Sequence, residues 1–292
     1  MRTSAIGAVW LAAVLCIAGA ASAQDIDKLK TGGPYVPTPQ GVVDRMLAMG
    51  GVGEKDFVID LGSGDGVIVL TAARLFKAGG LGIEIDPNLV RQSNASAQKF
   101  GVADRVSFAQ LDVFKADLSR ASVLTLYLLP GMMMNLRTKI FSELKPGVRV
   151  VSHDYHFGDW SPDDSQTFDV PEKELVTGVP RATVYKWVVP ARVAGQWEVR
   201  VAGGETYDLT LRQRFQVVTE SSANANGRLI RPQSVQINGS HISFALPDGK
   251  NVSRFSGRVD GNAMDGTVEL PGGKGSAKWT AKRTTAAAVT LE

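Results

Sequence analysis

The sequence predicts an α/β protein in which a mostly parallel sheet, covered by helices on both faces, precedes a small antiparallel β barrel or sandwich. Between residues 42 and 152, short apolar strands alternate with helix-compatible segments, as in parallel sheets. The runs FVIDL and VLTLYLL are almost continuously apolar, which is typical of strands buried on both faces. After Pro190, Gly and Asn turn signals separate short alternating strands, which indicates antiparallel structure.

The elements follow one another in order along the first half of the chain. A first helix is expected from Val42, where apolar residues recur at helical spacing until Gly50 and Gly51 end it. Residues 163–174 carry several acids and are interpreted as a solvated loop, with attraction of a lysine-bearing substrate as the alternative. The stretch after Lys282 is expected to fray. Strands are predicted at residues 57–61, 80–85, 106–111, 122–129 and 148–152, with helices at 65–77, 88–100 and 132–144.

The N-terminal residues have the pattern of an export signal. Arg2 precedes an apolar stretch that ends in the small residues ASA before Gln24, and signal peptidases require small residues at such a place. An uncleaved membrane anchor is the alternative, because the apolar stretch is almost long enough to cross a bilayer. We expect a periplasmic or extracellular protein of three parts: a signal peptide at residues 1–23, an α/β domain at 24–190 and a β-rich domain at 191–292.

Charge and cysteine content argue against two classes of function. The net charge is +3, and the basic residues are scattered instead of forming a run that would follow a phosphate backbone. Nucleic acid is therefore not expected as a partner. The single cysteine, Cys16, lies in the leader, so the mature chain is expected to lack thiol chemistry, disulfides and cysteine-bound metal.

A glycine-rich loop, DLGSGDG, stands directly after one predicted strand and directly before a predicted helix. Its three glycines allow a tight turn and let a ligand lie against the backbone, because no Cβ atoms stand in the way. Nicotinamide dehydrogenases carry the pattern GxGxxG, but here the third glycine comes one residue early. The loop indicates a cofactor with an adenosine and an amino-acid tail; an empty structural turn is the alternative. The candidate cofactor-binding residues here are Asp60, Gly62, Ser63, Gly64 and Gly66.

Acidic residues also follow the next two predicted strands. Glu84 ends the strand GIEI, where a carboxylate can accept hydrogen bonds from ribose hydroxyls, and Asp112 ends the strand VSFAQL. Asp86 is expected instead to cap the following helix. Each acid alone is equally consistent with a solvated loop or a cap. Together with Asp60, however, they stand at the carboxyl edge of one parallel sheet, which is where such sheets bind ligands.

At this point the chain resembles the Rossmann-like class I S-adenosylmethionine-dependent methyltransferases, which have a seven-stranded sheet. Within them it is most similar to the lysine methyltransferases related to the mitochondrial enzyme that modifies the c subunit of ATP synthase. The resemblance covers roughly residues 34 to 160. The matching stretches are PYVPTPQGVVDRML, DLGSGDGVIVLTAA, GIEIDPNLV, GVADRVSFAQLDVF, VLTLYLLP and ELKPGVRVVSHDYHFGDW.

The resemblance implies S-adenosylmethionine as cofactor and gives roles to further residues. It implies that Tyr35 and Thr38 fold over the methionine end of the cofactor, and that Asp112 accepts a hydrogen bond from the adenine amino group. It also implies that Tyr127 and Leu128 border the reacting amine. Nucleobase methyltransferases carry an Asn or Asp followed by two prolines at that place, and this signature is absent. Polar-loop and packed-strand interpretations remain open for Tyr35, Thr38 and Tyr127.

The run SHDYHF, at the end of the fifth predicted strand, has three interpretations. Strand alternation would put Asp154 and His156 on one face and His153 on the other, which disfavours a joint metal site unless the strand ends first. Asp154 or His156 could instead face the acceptor pocket. The third interpretation is a structural hydrogen bond at the strand end. We retain Asp154 as a catalytic candidate and expect no metal.

The resemblance implies methylation of a lysine in a partner protein, in or near a membrane or the periplasm. Two alternatives stay open from the residues alone. The apolar segment at residues 128–134 is also compatible with a small-molecule or lipid acceptor. An exported domain is separated from the usual supply of cofactor, so a non-catalytic scaffold with the same fold is the other alternative.

Overall fold

The computed structural model describes residues 33–273 and 275–291. The expected signal peptide at residues 1–23 lies outside the described residues. From Tyr35 onward the chain forms one compact unit that contains two sheets. No helix in the described part of the chain is long and apolar enough to cross a membrane.

The first sheet has seven strands in the order β3-β2-β1-β4-β5-β7-β6, and β7 is antiparallel to both of its neighbours. The strand order reverses between β1 and β4, which is the point where open α/β sheets bind ligands. The strands are β1 Phe57–Leu61, β2 Gly79–Glu84, β3 Val106–Gln110, β4 Val123–Leu126, β5 Arg149–His153, β6 Asp164–Asp169 and β7 Arg181–Val188. The helices are α1 Gln40–Met49, α2 Val67–Phe76, α3 Pro87–Lys99, α4 Pro130–Glu143 and α5 Pro171–Thr177.

Apolar side chains bury both faces of this sheet. Val42, Val43, Met46 and Leu47 of α1 are fully buried, as their helical spacing predicts. The central strands β1 and β4 are buried along almost their whole length, which explains their nearly continuous apolar sequences. The arrangement confirms the α/β part of the predicted fold class.

Two boundaries in this region differ from the sequence-based prediction. The strand predicted at residues 122–129 ends at Leu126, since Pro130 opens α4 and the residues before it leave the sheet. The loop interpretation of residues 163–174 is wrong: this segment contains β6 and the start of α5. β6 is an edge strand whose residues are almost all exposed, so it shows no apolar alternation that could reveal it.

The second sheet has nine antiparallel strands and curls into a half-barrel, which confirms the predicted β-rich part of the fold. Its interior is filled by apolar side chains, among them the aromatic residues Trp197, Phe244, Phe255 and Trp279. The strand order is β11-β10-β9-β8-β16-β15-β14-β13-β12. The strands are β8 Gly195–Val201, β9 Thr206–Arg214, β10 Val217–Ala225, β11 Arg228–Ile230, β12 Gln233–Asn238, β13 His241–Asp248, β14 Asn251–Asp260, β15 Ala263–Glu269 and β16 Ser276–Ala286.

The C-terminal stretch is ordered, so the expected fraying after Lys282 is wrong. β16 runs to Ala286 and pairs with β15 and β8 in the middle of the sheet. Beyond it, the Thr290 amide donates to the Gln213 carbonyl at 2.9 Å. Val289 and Leu291 pack against the core of the first sheet, so long-range packing overrides the weak local pattern.

A hairpin of the second sheet also enters the first core. Phe215, between β9 and β10, is buried and stacks on Trp160 with ring centroids 5.3 Å apart and planes 3° from parallel. Trp187 of β7 donates its indole N–H to the Trp160 carbonyl at 2.9 Å. The two sheets are therefore linked by shared core residues as well as by the chain.

Candidate active site

The glycine loop between β1 and α2 adopts a conformation that needs glycine. Gly62, Gly64 and Gly66 all have positive φ, at 76°, 53° and 80°. A Cβ on Gly62 would lie 2.6 Å from Leu128 Cδ2, and one on Gly64 would lie 2.5 Å from the Tyr35 ring. Side chains from two other parts of the molecule thus lie directly on the loop backbone.

Hydrogen bonds hold the loop against β2 and α3. The amides of Gly62 and Ser63 both donate to the Ile83 carbonyl, at 2.9 and 3.0 Å. Ser93, buried on α3, donates its hydroxyl to the Gly64 carbonyl at 3.2 Å. The hydroxyl of Ser63 points inward, because a Cβ on Gly82 of β2 would lie 2.6 Å from Ser63 Oγ. Ser63 therefore contributes backbone to the loop, and Ser93 is a supporting residue that sequence reasoning missed.

Glu84 lies at the carboxyl end of β2, beside the loop. Its carboxylate accepts backbone hydrogen bonds from Gly64 at 2.9 Å, Ile85 at 2.7 Å and Asp86 at 2.9 Å. Asp86 in turn caps α3 by accepting from the Asn88 amide at 2.7 Å, the role that its position predicted. The structure thus fixes the Glu84 carboxylate next to the middle glycine.

Asp60 lies underneath this loop and does not reach the surface. It is 2% exposed and accepts a hydrogen bond from Thr125 Oγ1 of β4 at 2.6 Å. Burial raises the pKa of Asp60 to about 7; the bond from Thr125 opposes this rise, while Glu84 and Asp65 add to it. Asp60 therefore joins β1 to β4 at the point where the strand order reverses.

Asp112 and the N-terminal arm lie at the same part of the carboxyl edge, named here the cofactor half after the role that the resemblance implies for its residues. Asp112, after β3, accepts from the Phe114 amide at 3.0 Å and so caps a short 3₁₀ turn. Tyr35 lies over Gly64, and burial together with the Asp65 carboxylate raises its pKa above the usual range. Thr38 is partly buried and stands two residues before α1. The structure brings Tyr35, Glu84 and the glycine loop together.

The ends of β4 and β5 form the other part of this edge, named here the acceptor half after the role that the resemblance implies for Tyr127 and Leu128. Tyr127 stacks on His153 with ring centroids 3.9 Å apart and on Tyr155 with centroids 6.2 Å apart. Its neighbour Leu128 lies on Gly62, so the aromatic group is adjacent to the glycine loop. Burial raises the pKa of Tyr127 to about 12, and the charge of Asp154 adds to this effect. Tyr127 therefore keeps its phenolic proton at neutral pH.

His153 is buried in this half of the edge. Strand alternation predicted that it would lie on the opposite face from Asp154. Its side chain is fully buried, and neither ring nitrogen has a hydrogen-bond partner among the described residues. Burial lowers the pKa of His153 to about 4; the Lys173 ammonium contributes, and Asp154 opposes it. His153 is therefore neutral at physiological pH and adds no positive charge behind Tyr127.

Asp154 makes structural hydrogen bonds at the strand end, which was the third interpretation of the run SHDYHF. β5 ends at His153, and Asp154 has a φ of +61°, so strand alternation stops before it. Its carboxylate pairs with Lys173 of α5 and accepts from the Thr183 amide at 3.0 Å. His156 turns away and accepts from the Gly158 amide at 3.0 Å. Within residues 33–273 and 275–291, no cluster of three or more metal-ligating side chains is present.

The first sheet is similar to known methyltransferases. Residues 60–164 match the model of the ANTKMT methyltransferase domain. A Saccharolobus islandicus protein named protein-lysine N-methyltransferase is 43% identical over 160 residues, which cover 53% of this chain and 93% of that protein. A Xenopus laevis protein, named as the lysine N-methyltransferase of the ATP synthase c subunit, is 36% identical, with 44% of this chain and 57% of that protein covered. A solved structure of an RNA methyltransferase from Salinibacter ruber, in complex with S-adenosylhomocysteine, is 49% identical and covers 54% of this chain and 96% of its own, with a TM-score of 0.49.

Proposed function

We propose that this chain, which belongs to the ANTKMT-like group of S-adenosylmethionine-dependent methyltransferases, methylates the side-chain amine of lysine in a partner protein. The archaeal relative matched over 93% of its length carries that activity in its name. The observation that carries the proposal is the aromatic lining of the acceptor half, where Tyr127 stacks on the buried His153 beside the glycine loop.

The residues of the cofactor half fit the adenosine and methionine parts of the cofactor. The absence of Cβ atoms lets Leu128 and Tyr35 lie directly on the backbone of Gly62 and Gly64, which keeps the loop compact beside Glu84. Glu84 is held by three backbone amides in a place where its carboxylate can accept ribose hydroxyls. S-adenosylmethionine, when bound, supplies an electrophilic methyl group on a sulfonium. Tyr35, lying over Gly64, would cover the bound molecule and exclude water.

The acceptor half has the properties that a lysine acceptor requires. An amine attacks only when its lone pair is free, and burial beside aromatic rings favours its neutral form. Tyr127 can guide the incoming amine with its ring face while the amine is still charged, and with its hydroxyl once it is neutral. His153 presents no competing cation. The chain thus contributes alignment and desolvation, which can supply most of the rate in a displacement at a methyl group.

The proposal is tested by incubating the purified protein with methyl-labelled S-adenosylmethionine and separate protein, RNA and lipid fractions as acceptors. We expect label in the protein fraction, on lysine side chains when digested peptides are sequenced by mass spectrometry. Label confined to the solvent-extractable fraction would establish the small-molecule or lipid alternative. Label confined to RNA would contradict the lysine proposal.

A pair of tyrosine variants tests the role of the acceptor half. Tyr127→Leu should reduce the rate of methyl transfer by at least about tenfold while cofactor binding stays unchanged, because only the acceptor loses its contact. Tyr207→Leu is the control, since burial also raises the pKa of Tyr207 to about 12, but it lies in the second sheet. Equal rates in the two variants would remove Tyr127 from the acceptor site.

We further propose that residues 1–23 are removed as a signal peptide and that the protein acts outside the cytoplasm. The Arg, the apolar stretch and the small residues before Gln24 support this. N-terminal sequencing of the protein expressed with its full chain should give Gln24 as the first residue. A retained Met1 in a membrane fraction would support the anchor alternative.

A further inference from the structure

The short helix α5 has an inverted distribution of polar and apolar side chains. Lys173 is only 4% exposed, whereas Leu175 is 93% exposed. Val176 and Val179, in and just after the helix, are 58% and 51% exposed. A helix that only had to pack against its own sheet would bury the leucine and leave the lysine in water. Folding of this unit therefore does not account for the arrangement.

This helix is fixed to the acceptor half of the candidate site. It belongs to the connection between β6 and β7, and β6 runs in the same direction as β5, so the connection lies at the carboxyl edge of the sheet. Lys173 pairs with Asp154 and donates to the Arg181 carbonyl at 2.8 Å. Asp154 directly follows His153, on which Tyr127 stacks. The buried side of α5 is thus tied, through Asp154, to the end of the strand that carries His153.

Burying Lys173 is costly unless its charge is paired, and Asp154 provides that pairing. The result is that α5 cannot easily rotate to bury Leu175, because rotation would separate the ion pair. The structure therefore holds an apolar face open toward solvent on a helix that is anchored beside the acceptor half. Clustered exposed apolar side chains beside a polar rim are typical of protein interaction surfaces.

The charge around this face indicates the chemistry of its partner. Glu172 and Glu174, on the same helix, are exposed, whereas Asp169 at the end of β6 is paired with the Arg181 guanidinium at 3.6 Å. An apolar face with acidic neighbours is complementary to a segment that carries apolar and basic side chains. We propose that Leu175, Val176 and Val179, here named the α5 docking surface, bind apolar side chains next to the methylated lysine of the acceptor protein. This inference rests on the proposed lysine activity.

Two synthetic peptides test the docking surface. Both contain one lysine and one arginine; the first has leucines beside the lysine, and the second has serines in their place. The wild-type protein should methylate the leucine peptide with a kcat/KM about tenfold higher than that for the serine peptide, and the difference should arise from a lower KM. Burial of one apolar side chain contributes a factor of about this size or more. Leu175→Gln and Val179→Thr should each reduce this preference without changing kcat or cofactor binding.

Leu229→Gln is the matched control, since Leu229 is 77% exposed but lies on β11 of the second sheet. It should keep the full preference. A wild-type protein without preference, or a Leu175→Gln variant that keeps it, would overturn the docking surface. So would a wild-type dimer that Leu175→Gln converts to monomer, because the surface would then belong to a second copy of the chain.

The two proposals fail in distinguishable ways. Equal methylation of both peptides would overturn the docking surface and leave the lysine activity intact. If neither peptide is methylated although the protein binds cofactor, the lysine activity is contradicted. In that case the docking surface is tested separately, by fluorescence anisotropy with the same two peptides in the presence of S-adenosylhomocysteine. The docking surface is supported if the wild type binds the leucine peptide more tightly than the serine peptide and Leu175→Gln abolishes this difference. Equal binding of the two peptides to the wild type overturns it.

Discussion

The two sheets of this protein bury their aromatic residues in different ways. In the second sheet, Phe244 and Phe255 stack 4.6 Å apart with Trp279 edge-on to both, and the Trp279 indole N–H donates to backbone carbonyls at 3.1 and 3.2 Å. In the first sheet, both ring nitrogens of His153 and the indole nitrogen of Trp160 are buried without a hydrogen-bond partner among the described residues.

This difference indicates that the two sheets have different roles in the protein. Buried polar groups are normally paired, and exceptions concentrate where a structure serves a function besides folding. The second sheet satisfies its tryptophans and fills its interior with side chains. At its carboxyl edge, the first sheet combines the unpaired His153 with the glycine loop and with the Glu84 carboxylate, which backbone amides hold in place.

The largest expected effect concerns the link between the two sheets. Phe215→Ala should lower the free energy of unfolding by about 3–5 kcal/mol, since it leaves a cavity against Trp160 in the first core. The wild type should unfold in urea in a single transition, because the sheets share this core. In the variant, the urea transition measured by tryptophan fluorescence should no longer coincide with the transition measured by loss of cofactor binding.

Val217→Ala is the control for this link, since Val217 lies two residues away and is 56% exposed. It should change the free energy of unfolding by less than about 0.5 kcal/mol. Two wild-type transitions, or equal losses in both variants, would mean that the sheets fold independently. That result would favour the predicted division near residue 190 as a true domain boundary.

A smaller effect is expected when one glycine in each of the two sheets is replaced by alanine. Gly64→Ala should weaken S-adenosylmethionine binding by at least about tenfold, because the added methyl group collides with the Tyr35 ring and displaces it from the loop. Gly227→Ala is the control: Gly227 also has a positive φ, but nothing lies within 4 Å of its added Cβ. Both variants should lose about 1–2 kcal/mol of stability from the left-handed backbone. Calorimetric titration showing equal affinity in both would contradict a cofactor site at this loop.

The smallest effect is a pH dependence located in the first sheet. The pKa of Asp60 is about 7 in the folded protein and near its ordinary value when unfolded, so the folded state retains a proton that the unfolded state has lost. Stability from this group is therefore complete in acid and is lost as the pH rises through 7. Between pH 6 and 8 the loss should be about 1 kcal/mol.

Asp60→Asn should flatten this slope, because the amide can still accept the hydrogen bond from Thr125 but does not ionise. Urea unfolding of the cofactor-free protein at pH 6, 7 and 8 measures the slope. Asp208→Asn, an exposed position on β9, should leave it as in the wild type. An unchanged slope in Asp60→Asn would show that the buried carboxyl does not retain its proton.

The elements of the first sheet up to residue 153 were predictable because the signal is local. A strand, a glycine turn and a helix follow each other within DLGSGDGVIVL, and the strand FVIDL was predicted with its observed bounds. The positions of Glu84 and Asp86 followed from strand ends and capping rules. β6 and α5 were missed because an exposed edge strand and an inverted helix lack the periodicity on which such predictions depend.

The sequence by itself determined the fold class, the glycine loop and the order of acids along the carboxyl edge, since these depend on spacing along the chain. Only the tertiary structure placed Tyr127 on His153, buried Lys173 against Asp154 and inserted Phe215 into the first core. Each of these contacts joins residues distant in sequence, and each depends on packing or on the desolvation of a charge. Local patterns carry no record of either, so these three contacts and the α5 docking surface became visible only in three dimensions.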